Sequence, residues 1–163
     1  MKKIRWMLCF TAVLALTVLA AAVSAADLTG EGTKDKPYEI STREQLIAFR
    51  NIVNGDNPAA CAKLMNDINL GGGPDNQCTP IGSEDNIYTG TFDGNGKTIS
   101  HFYISGSESN QGFFGYVGGG AVIKNLTVEG EVAGDDYLGG IISRIKCTNN
   151  DASVTVSNCT SDI

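Results

Sequence analysis

His101 is the only histidine of the chain. As a general base it would need a nucleophile within hydrogen-bond reach and a third group to orient the ring. Its neighbours Phe102 and Ile104 are apolar and no acid lies close in sequence, so an exposed structural role is expected. Glu84-Asp85 and Asp135-Asp136 are the next candidates, for glycoside hydrolysis or lyase chemistry. That chemistry needs two carboxyls facing one another across a bond. Adjacent residues on a strand point to opposite faces, so these pairs read as solvated loop acids. Asp93-Gly94-Asn95-Gly96 offers oxygen ligands to calcium but lacks the longer acidic spacing and closing Glu of an EF-hand loop. Cys61, Cys78, Cys147 and Cys159 with one histidine make a poor zinc site. Phe102, Tyr103, Phe113, Phe114 and Tyr116 suggest a sugar-stacking platform. Phe102 and at least one of Phe113 and Phe114 are expected in the core, which leaves Tyr103 and Tyr116 for the surface. No catalytic residue, metal ligand set or cofactor is expected.

The N-terminus explains the compartment. Lys2, Lys3 and Arg5 precede an uncharged run from Trp6 to Val23 rich in Leu, Ala and Val, and Val23-Ser24-Ala25 supplies small residues. These are the parts of a secretory signal peptide cut after Ala25. Length alone also permits a membrane anchor, but no basic stop-transfer cluster follows. Removing 25 residues leaves 138, with nine basic and 18 acidic side chains and a net charge of −9. Such a balance disfavours nucleic acid and anionic lipid as electrostatic partners. Outside the cytoplasm the four remaining cysteines have three possible pairings, with buried thiols as the alternative.

One helix is predicted, over residues 42–53. Ser41 serves as N-cap, Glu44 completes a capping box, and Leu46, Phe49 and Val53 recur at helical spacing before Asn54-Gly55. Beyond Pro58 the pattern becomes short strands between Gly, Asn and Asp: Met65–Leu70, Thr89–Phe92 and Lys97–Ile104, the last two joined by the Asp93–Gly96 turn.

The later strands repeat. Ile99, Phe102, Ile104 and Gly106 align with Ile123, Leu126, Val128 and Gly130 at an offset of 24 residues. Val156-Ser157-Asn158-Cys159 matches Ile123-Lys124-Asn125-Leu126 after a further 33, and Gly112-Phe113-Phe114-Gly115 resembles Gly140-Ile141-Ile142-Ser143 at an offset of 28. Each unit is too small to bury its apolar face alone, and stacking the units buries a continuous column. A mainly β, parallel β-helix (solenoid) follows, its N-terminal end covered by the capping α-helix, with a β-sandwich as the alternative. Ile99 is expected to stack on Ile123 and Phe102 on Leu126. Asn125 and Asn158 occupy equivalent positions and would form an amide ladder at a corner; the two also match the glycosylation sequon, read here as chance.

Gly32-Thr33, Pro37-Tyr38, Ile40-Ser41-Thr42, Asp67-Ile68-Asn69-Leu70, Thr79-Pro80-Ile81-Gly82 and Gly90–Ile99 follow one another in an order that resembles bacterial surface proteins with GLUG-motif repeats. Gly112, Phe113, Phe114 and Gly115 resemble the motif itself; Gly140, Ile141 and Ile142 do so with Ser143 in place of the last Gly. The resemblance implies a right-handed β-helix in a large secreted or surface-attached protein. Cys78 departs from it, standing where those proteins usually carry Trp before the Thr-Pro-Ile-Gly stretch. Less packs at that corner, and a Cys61–Cys78 disulfide across the intervening strand would compensate.

The expected organisation is a signal peptide at 1–25, an N-terminal cap and first coil at 26–97, and GLUG-like repeats at 98–163 truncated at the C-terminus. The expected function is a non-enzymatic exported module, secreted or at the cell surface. It would present an extended surface for adhesion to host or matrix glycans or proteins, or act as a spacer, with no transmembrane segment after signal cleavage. The alternatives are a polysaccharide-acting β-helix enzyme and an accessory module of a larger secreted peptidase.

Overall fold

A computed structural model describes residues 27–147 and 153–163; the signal-peptide reading lies outside them. The chain is mainly β and winds as a parallel β-solenoid of about three turns with one short helix near its N-terminus. In chain order the elements are β1 (Tyr38–Ile40), α1 (Arg43–Asn54), β2 (Ala62–Leu64), β3 (Ile68–Asn69), β4 (Thr91–Ile104), β5 (Phe114–Gly118), β6 (Val122–Val132), β7 (Ile142–Lys146), β8 (Thr155–Ser157) and β9 (Thr160–Asp162). The larger sheet runs β1-β2-β4-β6-β8, with β3 also on β4 and β9 also on β6; β5 and β7 form the smaller sheet. Every pairing between these strands is parallel.

The sequence offsets meet different fates. Phe114 pairs with Ile142 and Ile123 with Val156, at the expected offsets of 28 and 33. The offset of 24 is not the coil repeat. Phe92 lies beside Ile123, Ile99 beside Val128 and Phe102 beside Gly130, so neighbouring coils are 31 to 28 residues apart there. The reason is local geometry. His101 and Asn125 both hold positive φ, at 53° and 54°. Ile99–Ile104 and Ile123–Val128 are thus both strand–corner–strand units, and their resemblance comes from two different corners of the coil. Asp93–Gly96 is likewise a corner within the continuous β4, where the register against β6 shifts, rather than a turn between two strands. The boundary expected at 97/98 falls inside β4. Gly94 is required because a Cβ there would collide with the Asn125 carbonyl of the next coil. The expected Met65–Leu70 strand is interrupted: β2 ends at Leu64, Met65 is exposed, and β3 begins at Ile68.

Aromatic rings tie the interior together. Phe92 meets Phe114 at 5.5 Å and Phe113 at 5.9 Å between ring centroids, and Phe102 meets Phe113 at 5.7 Å. Edge-on geometry of this kind adds to burial. Tyr88 stacks on Phe114, is fully buried, and donates its hydroxyl to the Ala60 carbonyl. Burial, helped by nearby Cys61, holds that phenol well above its ordinary pKa.

Helix α1 closes the start of this interior. Its N-cap is Thr42, whose hydroxyl accepts from the Gln45 amide, while the Gln45 side chain accepts from the Ser41 N–H. The expected box therefore sits one residue later, and Gln45 takes the role assigned to Glu44. Leu46, Phe49 and Val53 are buried as expected, each stabilising by roughly 1.5–3 kcal/mol. Phe49 reaches Tyr88 and Phe92.

The last helical residue continues a β-ladder with its side chain. Asn54 Nδ2 donates to the Pro80 carbonyl at 2.9 Å, and Asn54 Oδ1 accepts from the Gly82 N–H at 2.7 Å. Between them, Ile81 uses its own N–H and C=O on Phe113 and Gly115 of the next coil. The amide thus stands where a peptide group of a preceding strand would stand. The edge of β1 is protected differently: the Glu39 N–H donates to Thr29 in the lead-in segment. The helix was expected to cover the N-terminal end and protect its edge strand; α1 packs over the interior through Phe49, against Tyr88 and Phe92, while Thr29 takes the Glu39 N–H.

Two substitutions check this architecture. Asn54→Ala strands a donor and an acceptor at a half-buried edge and is expected to cost about 2–3 kcal/mol in urea unfolding; a loss below about 0.5 kcal/mol means the amide does not continue the ladder. Leu126, 1% exposed, tolerates no carboxylate, so Leu126→Asp is expected to abolish the cooperative transition.

Candidate functional site

The outward positions of the larger sheet line up from coil to coil. Glu39 pairs with Lys63, Lys63 with Asp93, Asp93 with Lys124, and Lys124 with Ser157. The column therefore alternates in sign along the solenoid axis. Lys124 Nζ lies 3.3 Å from Asp93 Oδ2. Beside it runs a shallow groove of about 380 Å³ whose lining includes Lys34, Lys63, Thr91, Asp93 and Lys124. A second, uncharged column, Thr98–Thr127–Thr160, lies past the corner.

The corner between these columns carries the expected amide ladder and extends it. Asn158 Nδ2 donates to Asn125 Oδ1 at 3.2 Å, and Asn125 Nδ2 donates to Asp93 Oδ1 at 3.0 Å. Asn95, Asn125 and Asn158 all have φ between 52° and 54°, a conformation Asn tolerates better than other side chains. Asn95 Nδ2 reaches back to the Leu64 carbonyl, so side-chain amides link successive coils. Partial burial pushes the Asp93 carboxyl up, but hydrogen bonds from Asn125, the Asn95 N–H and Lys124, with the Lys124 charge, outweigh it and hold its pKa below the ordinary 3.8.

The remaining candidates do not converge. His101 is exposed, and its carbonyl accepts from the Gly72 N–H. Glu84 pairs with Lys146 at 3.3 Å, and Asp85, Asp135 and Asp136 are exposed. Among the described residues no group of three or more His, Cys, Asp or Glu side chains is placed to hold a metal ion. Phe102, Phe113 and Phe114 are all core. Tyr116, expected at the surface, is only 8% exposed. It sits under the Arg144 guanidinium at 5.7 Å, and the exposed Tyr137 covers that guanidinium at 4.9 Å. Neither Arg144 nor Tyr137 was singled out in the sequence, yet the offset of 28 that matches Phe114 to Ile142 also places Arg144 beside Tyr116.

The Cys61–Cys78 bridge is not formed; all four described cysteines are free thiols. Cys61 Sγ accepts from the Thr91 N–H and Cys78 Sγ from the Tyr103 N–H. Thr91 and Tyr103 lie near the two ends of β4, so each thiol is occupied at a different side of the coil.

The ionisation of Asp93 gives a pH test. A carboxyl with a lowered folded pKa contributes stability that is fully present above its unfolded value and is lost as pH falls through the folded value. Wild-type protein is expected to lose this contribution below about pH 4, and Asp93→Asn to show a shallower acid limb in thermal melts between pH 2 and 5. Identical limbs would mean that the ladder gains nothing from the charge.

No family model matches the chain, and no solved structure matches it. The chain is similar to a protein from Evansella cellulosilytica named "Putative Gly-rich membrane protein", with 35% identity over 108 residues. The matched region is 63% of this chain and 12% of that relative, so the chain spans a small part of the protein it resembles. Among the described residues no helix is long and apolar enough to cross a membrane.

Proposed function

We propose that this chain is a non-enzymatic exported module of a larger surface protein, offering its outer columns for adhesion to matrix glycans or proteins, or setting spacing between other parts. The observation that carries this reading is the coil-to-coil continuity of the outer columns: Glu39–Lys63–Asp93–Lys124 and Thr98–Thr127–Thr160 repeat on the spacing of the stacked coils. An array of this kind suits a repetitive polymer, whereas catalysis needs groups that converge. The motif order that resembles GLUG-repeat surface proteins supports the same reading. So does the similarity to a much longer protein whose name places it at a membrane. Residues 1–25 supply the export signal this location requires.

Expressed whole in a bacterial host, the protein is expected outside the cytoplasm with Ala26, or a residue close to it, at its N-terminus. Purified, it is expected to be retained on immobilised matrix glycans or proteins without turning them over. Retention that falls when Lys63 and Lys124 are both replaced by Glu assigns adhesion to the charged column. Retention by no matrix leaves the spacer role. Met1 retained on a membrane-bound product overturns export, and turnover abolished by a single Asp→Asn or Glu→Gln substitution overturns the non-enzymatic reading.

A further inference from the structure

The corner at Cys78 is under-filled, as its small side chain implies. A cavity of about 50 Å³ lies there between α1 and the coil. Its walls are largely apolar, formed chiefly by Leu46, Ile47, Leu70, Ile81, Phe102 and Phe113, with Cys78 at one side. At roughly 10–15 Å³ per water-sized group, this space takes about four carbon atoms. A pocket so lined offers water few partners.

The lining is not wholly apolar: Gln77 and Thr79 belong to it, as do Arg43 and Arg50, two turns apart on α1. Three ion pairs form among the described residues, and neither arginine belongs to any of them. Arg50 donates from Nε and Nη2 to the side chain of its exposed neighbour Asn51, which supplies no charge. In a chain with 18 acids and 12 basic residues, two guanidiniums lining a largely apolar slot with no carboxylate paired to either among the described residues form an incomplete arrangement. Burial pulls the Arg50 guanidinium below its ordinary pKa, with Cys78 opposing and Arg43 adding to the shift. A bound anion would relieve both the desolvation and the mutual repulsion.

We propose that this slot binds a small branched aliphatic carboxylate, its alkyl end against Leu46, Phe102 and Phe113 and its carboxylate between Arg43 and Arg50. Both a free branched-chain acid and the C-terminal Leu of a peptide carry this chemistry. Nothing in the adhesive or spacer role requires the site, and it stands independently of that reading.

The test titrates the full chain with 3-methylbutanoate, and in parallel with acetyl-Gly-Leu bearing either a free or an amidated C-terminus, by calorimetry or amide chemical-shift change. A ligand of this size is expected to bind with a Kd on the order of 0.1–1 mM. Acetate, lacking the branched end, and 3-methylbutanamide, lacking the charge, are each expected to bind at least ten-fold more weakly. Binding of 3-methylbutanoate supports a free acid as the source; binding of only the free-carboxylate peptide supports a chain terminus. The double variant Arg43→Gln, Arg50→Gln is expected to weaken either ligand at least ten-fold while leaving the melting temperature near that of wild type. Cys78→Trp is expected to fill the cavity and abolish binding. Should it not fold, the double arginine variant still decides the matter. Binding of neither ligand, or binding unchanged by the arginine substitutions, overturns the proposal.

Discussion

Stacking in this protein depends on corners turned by left-handed residues. A parallel coil must bend sharply and still present its N–H and C=O groups to the coils on either side. Asn95, Asn125 and Asn158 turn equivalent corners in successive coils with nearly the same φ. The side chain that tolerates this backbone is also one that donates and accepts hydrogen bonds, so each corner is joined to the next by its own amide. At Asp93 the ladder meets a carboxylate, which accepts from Asn125 and from the Asn95 N–H and pairs with Lys124. Local conformation and long-range register are settled by the same few residues.

The start of the solenoid faces a different problem. A first coil has no coil before it, and its backbone groups would be left open to another chain. The protein closes each sheet separately. Thr29 covers β1, and Asn54 supplies a side-chain amide to Pro80 and Gly82. Helix α1 has an apolar face that reaches Tyr88 and Phe92 through Phe49. It holds Asn54 at the required height and seals the aromatic interior in one step.

Much of this was legible from composition and spacing. The periodicity of Leu46, Phe49 and Val53 indicated the helix, and the offsets of 28 and 33 indicated the parallel stacking and its register. The offset of 24 misled because a corner has a sequence signature of its own. An apolar residue, two spacers with the second left-handed, and a further apolar residue occur at His101, Asn125 and Asn158 alike, although His101 turns a different corner from the other two. Hydrogen bonding across coils separates these cases, and that is a property of the fold. The capping box slipped by one residue because Ser41–Glu44 and Thr42–Gln45 are nearly equivalent as sequence; only the docking of the helix chooses between them. The slot beside Cys78 was foreshadowed by the small thiol at a corner that needs bulk. The arginines in its lining gave no signal, because a helical spacing of seven residues acquires meaning only once the facing surface is known.

The alternating column on the larger sheet also bears on how the coils find their places. Coils of similar shape and apolar interior are nearly interchangeable in a collapsing chain, and a coil that skips its neighbour would still bury its apolar side chains. Along the outer column such a skip sets Glu39 against Asp93, or Lys63 against Lys124, and opposed like charges on adjacent strands cost about 0.2–1 kcal/mol each. The threading with no coil omitted is the one that brings opposite signs together at each step from Glu39 to Lys124. The charges thus act as a parity check on the stack, favouring the threading in which no coil is omitted.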